Sequence, residues 1–259
     1  MVRSSRETVT VAATCYGVSI GVQCRRGDAL AVSAHLPIGY TPVNLMEAEH
    51  RFTLDLQEQG DNLFSVRRES SVQTTPRPLK CALRALQKEI YTCVAEHAKD
   101  RVFIHAGVVA WKNRAVILSG FSHAGKSTLV WYLVKAGAVY YSDEYAVLDE
   151  NGAVYPFALP ISLRVAGGER RTIMPDRIGS APLSPDLIAF ARYRPGAKWR
   201  PQLLGPAQAV LQLIRHSVAI RSNPAFVLPV LKAASLQARS FAGTRDDAAQ
   251  FSEWLSTID

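Results

Sequence analysis

Gly120-Phe121-Ser122-His123-Ala124-Gly125-Lys126-Ser127-Thr128 decides how this chain is read, because it follows the apolar run Ala115-Val116-Ile117-Leu118-Ser119 and opens an amphipathic stretch from Lys126 to Ala136. The order G-x-x-x-x-G-K-[ST] between a strand and a helix is that of a phosphate-binding loop. Its glycines let the backbone curl so that several N–H groups face one anion, and the helix N-terminus adds partial positive charge. Gly120, Ser122, His123, Ala124, Gly125, Lys126, Ser127 and Thr128 are therefore the expected nucleotide-binding residues. Lys126 is expected to reach the β and γ phosphates of ATP, and the Ser127 hydroxyl to complete the coordination of Mg²⁺.

Downstream, Gly137 stops the helix and Val139 to Tyr141 reads as a short strand delivering Ser142-Asp143-Glu144. A carboxylate at this distance from the loop falls near the metal and the γ-phosphate in phosphate-loop folds. Asp143 and Glu144 are adjacent, so their side chains leave the strand end in different directions. One can take a proton from an attacking hydroxyl while the other holds Mg²⁺ with Ser127. Tyr145 to Leu148 and Ala153 to Phe157 then form a hairpin across Glu150-Asn151-Gly152.

Upstream, Val102 to Trp111 and Ala115 to Ser119 read as two strands joined by Lys112-Asn113-Arg114, with His105 in the middle of the first. Leu79 to His97 has helical spacing, with Leu83, Leu86, Ile90 and Val94 on one face. Residues 8 to about 70 hold short alternating runs, separated by turn signals such as Gln59-Gly60-Asp61-Asn62. The expected organisation is an N-terminal β-rich module over 1–77 and a P-loop domain over 78–259. The latter comprises a linker helix at 79–97, a core at 101–163, a basic loop region at 164–200 and C-terminal helices within 207–258. Those helices are expected at Ala207–Ile220, Pro224–Leu236 and Asp246–Ile258, with a last strand at Gln237–Phe241. The fold class is α/β (α+β).

The 259 residues are 48% hydrophobic and 20% charged, as in a globular protein, and contain no apolar run long enough to span a membrane. A cytoplasmic location is expected, since Glu7 interrupts the basic leader that a signal peptide would need. Cys15, Cys24, Cys81 and Cys93 show no C-x-x-C spacing and are read as thiols, with neither a zinc site nor a redox pair indicated. The net charge is +8, and residues 164–200 carry eight basic side chains against three acidic ones. No nucleic-acid motif surrounds them, so nucleic acid is disfavoured, and the tract is read either as a contact for phosphates or an acidic partner or as a solvated surface. Whether the chain forms a homo-oligomer is left open.

The run from Phe103 to Asp149 resembles the catalytic domain of HPr kinase/phosphorylase and its HPr-kinase-related relatives. It carries Phe103-Ile104-His105-Ala106-Gly107, the glycine-lysine loop and Ser142-Asp143-Glu144. The resemblance implies a fold like that of phosphoenolpyruvate carboxykinase. It also implies catalytic roles for His105, Lys126 and Asp143, the aspartate being the base toward a substrate serine. Two features depart from the family. Glu144 replaces its second aspartate, and the Glu-x-Arg-Gly-x-Gly signature is missing, its nearest counterpart being Gly167-Gly168-Glu169-Arg170-Arg171. That signature belongs to the part of the family that handles HPr, so the expectation is an ATP- and Mg²⁺-dependent kinase acting on a serine of some other small protein or peptide. The competing expectation is a nucleotide-gated binding module, in which ATP orders the basic tract and no phosphate moves. A slow ATPase is the third.

Overall fold

A computed structural model describes residues 7–37, 40–43, 48–57, 62–120, 124–164 and 169–258. The chain divides into two compact units, residues 1–100 and 101–259.

In the first unit, β1 (Thr8–Cys15) and β2 (Val18–Arg25) form a hairpin, followed by the short helix α1 (Ala29–Ser33). Then come β3 (Thr41–Pro42), β4 (His50–Leu56), β5 (Leu63–Arg68), β6 (Ser71–Val72) and β7 (Arg77–Pro78), and the helix α2 (Leu79–His97) closes the unit. The strands make one sheet in the order β3-β1-β2-β4-β5-β6, with β7 also on β5; among the described strands of this sheet only β2 and β4 pair in parallel. Alternation puts Ile20, Val22, Phe52, Leu54, Phe64 and Val66 on the covered side, where each is buried. Helix α2 lays Leu83, Leu86, Ile90 and Val94 against β2, β4 and β5. The division therefore falls after Asp100 instead of after residue 77. The helix read as a linker of the downstream domain completes the upstream core, because its apolar face has that sheet to cover.

The second unit is built on an eight-stranded sheet. Its elements are β8 (Val102–Trp111), β9 (Arg114–Ser119), α3 (Lys126–Lys135), β10 (Val139–Ser142), β11 (Tyr145–Leu148), β12 (Val154–Tyr155), β13 (Ile161–Arg164) and β14 (Arg170–Ile173). They continue with β15 (Pro185–Tyr193), β16 (Gln202–Leu204), α4 (Pro206–Ile214), α5 (Pro224–Gln237), β17 (Arg239–Arg245) and α6 (Ala248–Thr257). The sheet order is β12-β11-β8-β9-β15-β17-β16, with β10 also on β8, while β13 and β14 pair separately. Lys112 and Asn113, both at positive φ, make the tight two-residue turn between β8 and β9.

Successive residues of β8 face opposite sides of the sheet. Ile104, Ala106 and Val108 join Leu213, Val227 and Leu231 of α4 and α5, whereas Val109 joins Leu129, Val130 and Leu133 of α3 and Phe251 of α6. Helices thus cover both faces of a mixed α/β sheet. Strands β9, β15 and β17 run parallel, so Ser119, Tyr193 and Arg245 end side by side, and ligands of such sheets bind beyond those carboxyl ends.

The basic segment 164–200 differs from its reading as loops. It contributes β14 and the whole of β15, a strand in the middle of the sheet with Leu187, Ile188 and Ala189 fully buried. A strand covered on both faces shows a short apolar run without alternation, and the surrounding Arg, Pro and Gly diluted that signal. Helix α4 also ends at Ile214, short of the expected Ile220, and the last strand runs on to Arg245. Gly60 and Asp61 of one expected turn, and Gly167 and Gly168 of the nearest signature text, lie outside the described residues.

Candidate active site

Strand β9 ends at Ser119, and the chain re-enters at Ala124-Gly125 to start α3. Gly125 sits in the left-handed region at φ 75°, where a side chain is strained. A Cβ there would also lie 3.1 Å from Arg245 Nη2 and 3.3 Å from Tyr193 Cβ. Two parallel strand ends pin this turn. The Tyr193 N–H donates to Ala124 O at 3.1 Å, and the buried Arg245 donates from Nη2 to Gly125 O at 2.8 Å. Burial acts against the Arg245 charge and lowers its pKa. The start of α3 is therefore fixed beside the ends of two parallel strands, and a helix N-terminus carries partial positive charge.

Lys126 donates from Nζ to Gly120 O at 2.7 Å, so the ammonium is held across the turn it would leave to meet a phosphate. Burial lowers its pKa, and the carboxylates of Glu144 and Asp143 oppose that shift. Thr128 and Ser127 follow in the first turn of the helix.

The Asp143-Glu144 corner is built by β10 and its pairing to β8. A register irregularity between Tyr140 and Ser142 precedes the last pair of the ladder, Ser142 with Val108. The buried Ser142 hydroxyl then accepts from the N–H groups of Glu144, at 3.3 Å, and Tyr145, at 3.1 Å. The Ala106 N–H also donates to Glu144 O. The two side chains diverge as expected of neighbours. Asp143 turns inward to a hydrogen bond with Ser127, while Oδ1 is buried without a hydrogen-bond partner. Burial pushes its carboxyl up to about 7. The Ser127 hydrogen bond works against that shift, Glu144 adds to it and Lys126 opposes it. Glu144 turns outward, its Oε1 3.9 Å from His105 Nδ1.

His105 is the one exposed residue within an otherwise covered ten-residue strand. Its ring lies 4.8 Å from that of Tyr145. Two residues on, Gly107 lets α3 come close, since a Cβ there would overlap Val130 Cγ2.

His105, Gly120, Gly125, Lys126, Ser127, Thr128, Asp143 and Glu144 line a single cleft of about 650 Å³. Ala124 borders a second cleft, of about 820 Å³, which also meets Gly120. Ser122 and His123 lie outside the described residues. Every expected site residue that is described thus gathers around Gly120.

The remaining wall residues were not among the expected site residues, although Arg164, Arg170, Arg192, Tyr193 and Arg200 belong to the basic tract 164–200, for which a contact with phosphates is one reading. Ser162, Arg164, Arg170 and Arg215 line the first cleft, Arg192, Tyr193 and Arg200 line the second, and His216 lines both. His216 is carried in by a segment that joins β8: the His105 N–H donates to His216 O at 2.8 Å, and Ser217 bridges Ile104. Burial lowers the His216 pKa, and Lys126, His105 and Arg215 act in the same direction. Nothing around residue 215 marks the end of α4, so no sequence signal pointed to it.

An all-oxygen set of Ser127, Asp143 and Glu144 suits Mg²⁺, and the unpartnered buried Oδ1 of Asp143 is an acceptor in want of a cation or a donor. No protein-family model matches the sequence, and no curated protein matches it.

Proposed function

We propose that this chain is an ATP- and Mg²⁺-dependent kinase of the HPr-kinase-like kind, with a phosphate-loop core, that phosphorylates a hydroxyl of a small protein or peptide other than HPr, a serine in the first instance. The observation that carries the reading is Asp143. Its buried, unpartnered carboxyl oxygen lies beside Ser127 at the mouth of a glycine-pinned helix start, with burial holding the group near neutral pH. A base works best when its pKa is close to the working pH.

In this reading the N–H groups at the start of α3 and Lys126 would hold the phosphates, and Ser127 with Glu144 would hold Mg²⁺, which would supply charge neutralisation at the phosphates. Asp143 accepts the proton of the acceptor hydroxyl as its oxygen bonds to the γ-phosphorus. The bond from that phosphorus to the bridging oxygen breaks, and ADP leaves with the charge. His105 orients Glu144 from 3.9 Å away. The arginines Arg164, Arg170 and Arg215 give the cleft a positive wall suited to phosphate charge.

The test is transfer from γ-³²P-ATP to serine-bearing proteins and peptides, in a lysate and then with the purified acceptor. Stable phosphoserine formed by the wild-type chain and lost in Asp143→Asn supports the kinase. Nucleotide binding without transfer to any acceptor turns the reading into a nucleotide-gated binding module, and phosphate release to water alone makes it an ATPase.

A further inference from the structure

The first unit contains a group of metal-binding side chains, none of which lines the cleft: His50, Cys93 and His97. One ligand atom from each lies within 4.8 Å of the others. This differs from the sequence expectation that none of the cysteines belongs to a zinc site. Cys93 and His97 are four residues apart on α2, so their side chains stack on one face of the helix, a spacing that chelates metals when both residues can coordinate. His50 is the first residue of β4 and comes to the same place through packing of α2 on that strand. Its ring centroid is 4.3 Å from that of His97.

A second feature concerns ring orientation. His97 Nδ1 lies 2.9 Å from Cys93 O, the geometry of a ring N–H donating to a backbone carbonyl. That bond places the proton on Nδ1, which is also 3.9 Å from Cys93 Sγ, and leaves Nε2 as the lone-pair nitrogen, as in ligand histidines whose other nitrogen is tied to a carbonyl or a carboxylate. The thiol is fully buried, forming a floor, while His97 is exposed and forms a rim open to solvent. The group also sits at the last turn of α2, where the helix carbonyls favour a cation.

We propose that His50, Cys93 and His97 form a Zn²⁺ site that ties the end of α2 to the start of β4. One thiolate and two imidazoles are the ligand types that Zn²⁺ takes, at about 2.3 Å for sulfur and 2.0–2.1 Å for nitrogen. In a tetrahedron those bonds set ligand atoms roughly 3.3–3.6 Å apart, so coordination draws the present set together by about 1 Å. The Cys93 proton passes to solvent as the Zn–S bond forms, and the fourth position goes to water. Two carboxylates adjoin the ligands along the chain and each is engaged with a cation: Glu49 with Lys99 at 2.9 Å, and Glu96, whose Oε2 is 4.0 Å from His97 Nδ1, with Arg68 at 3.1 Å. The oxygen ligands of the cleft, Ser127, Asp143 and Glu144, have no sulfur among them, so the two sites differ in the metal they select.

The experiment uses the untagged full chain, stripped with chelator and free of nucleotide, and titrated with Zn²⁺ alone and with Co²⁺ alone. The expected result is one Zn²⁺ per chain, a melting temperature that rises with zinc, and a thiolate-to-cobalt charge-transfer band. Cys93→Ser removes the band, and His50→Ala and His97→Ala each weaken Zn²⁺ binding by at least about tenfold. Cys81→Ser changes an exposed cysteine earlier on the same helix and keeps the band, as does Asp143→Asn in the cleft. Circular dichroism of each zinc-free variant separates loss of the site from loss of the fold. A folded wild-type chain that gives no charge-transfer band with excess Co²⁺ overturns the site, and so does a band that follows Cys81 instead of Cys93.

Discussion

Asp143 holds a proton that the unfolded chain would give up. Its carboxyl is raised from 3.8 to about 7 by burial, so between those values the folded protein binds more protons than the unfolded one. Stability from this group is fully present below the lower value and is lost as pH rises through the upper one. Asp143→Asn removes that loss. In nucleotide- and Mg²⁺-free protein, the variant's advantage over wild type should grow by about 2–3 kcal/mol from pH 5 to pH 8, read from urea midpoints. An advantage independent of pH would mean that Asp143 is ionised in the folded state. The same variant should slow phosphoryl transfer by about 10²- to 10⁴-fold in single turnover while weakening ATP binding only modestly, because a base acts on the acceptor and the phosphates are held by other residues. Wild-type transfer by Asp143→Asn would end the proposed mechanism. At this scale the sequence was informative about one side of the cleft only. Lys126, Ser127, Asp143 and Glu144 stand in a recognisable order along a short stretch of chain. Arg245 reaches Gly125 from 120 positions away, and no local pattern encodes such a contact.

Among the elements, α3 depends on β8 in a way that one glycine controls. The Val130 methyl occupies the place where a Cβ on Gly107 would stand, and valine in a helix has one strongly preferred rotamer, so it has little freedom to turn away. Gly107→Ala should therefore push α3 off the sheet and carry Lys126 and Ser127 with it, at about 1–3 kcal/mol in stability and with weaker ATP binding. Val130→Ala added to that variant makes room for the new methyl and should recover both. If the double variant binds ATP no better than Gly107→Ala alone, the close approach of helix and strand does not set the site. Elements with a marked period or strong punctuation were legible: the β8–β9 hairpin around Lys112-Asn113, α3 ending before Gly137, and α2 with its apolar stripe. Strand β15 was not. Its core, Leu187 to Ala191, is five residues without alternation inside a segment dominated by arginine and proline, and only its two parallel neighbours make it a strand. Recognising β15 changes the role of Arg192. It lies near the strand's end, on the wall of the cleft that meets Gly120 and Ala124, so charge reversal there should weaken nucleotide binding more than reversal at Arg194. ATP titrations of the two variants check this, and equal effects would count against it.

For the whole molecule, each of the two units has its own sheet, and in the second the core lies on both sides of it. A ligand stabilises what it binds by mass action, so Mg²⁺-ATP and Zn²⁺ should act on different parts of the chain. In calorimetry, Mg²⁺-ATP at about 100 times its dissociation constant should stabilise residues 101–259 by about 2.7 kcal/mol. For a unit of this size that moves the transition up by roughly 5–10 °C. Zinc should raise the transition of residues 1–100. Lys126→Ala should abolish most of the nucleotide shift and leave the zinc shift intact, since Lys126 lies across the turn that would hold the phosphates and not in the first unit. A single transition that rises with either ligand would show that the units unfold together, and the effect of Lys126→Ala would remain the deciding comparison. If wild type and Lys126→Ala shift equally with Mg²⁺-ATP, the nucleotide does not bind at the Gly120–Thr128 segment, and the kinase reading built on it falls.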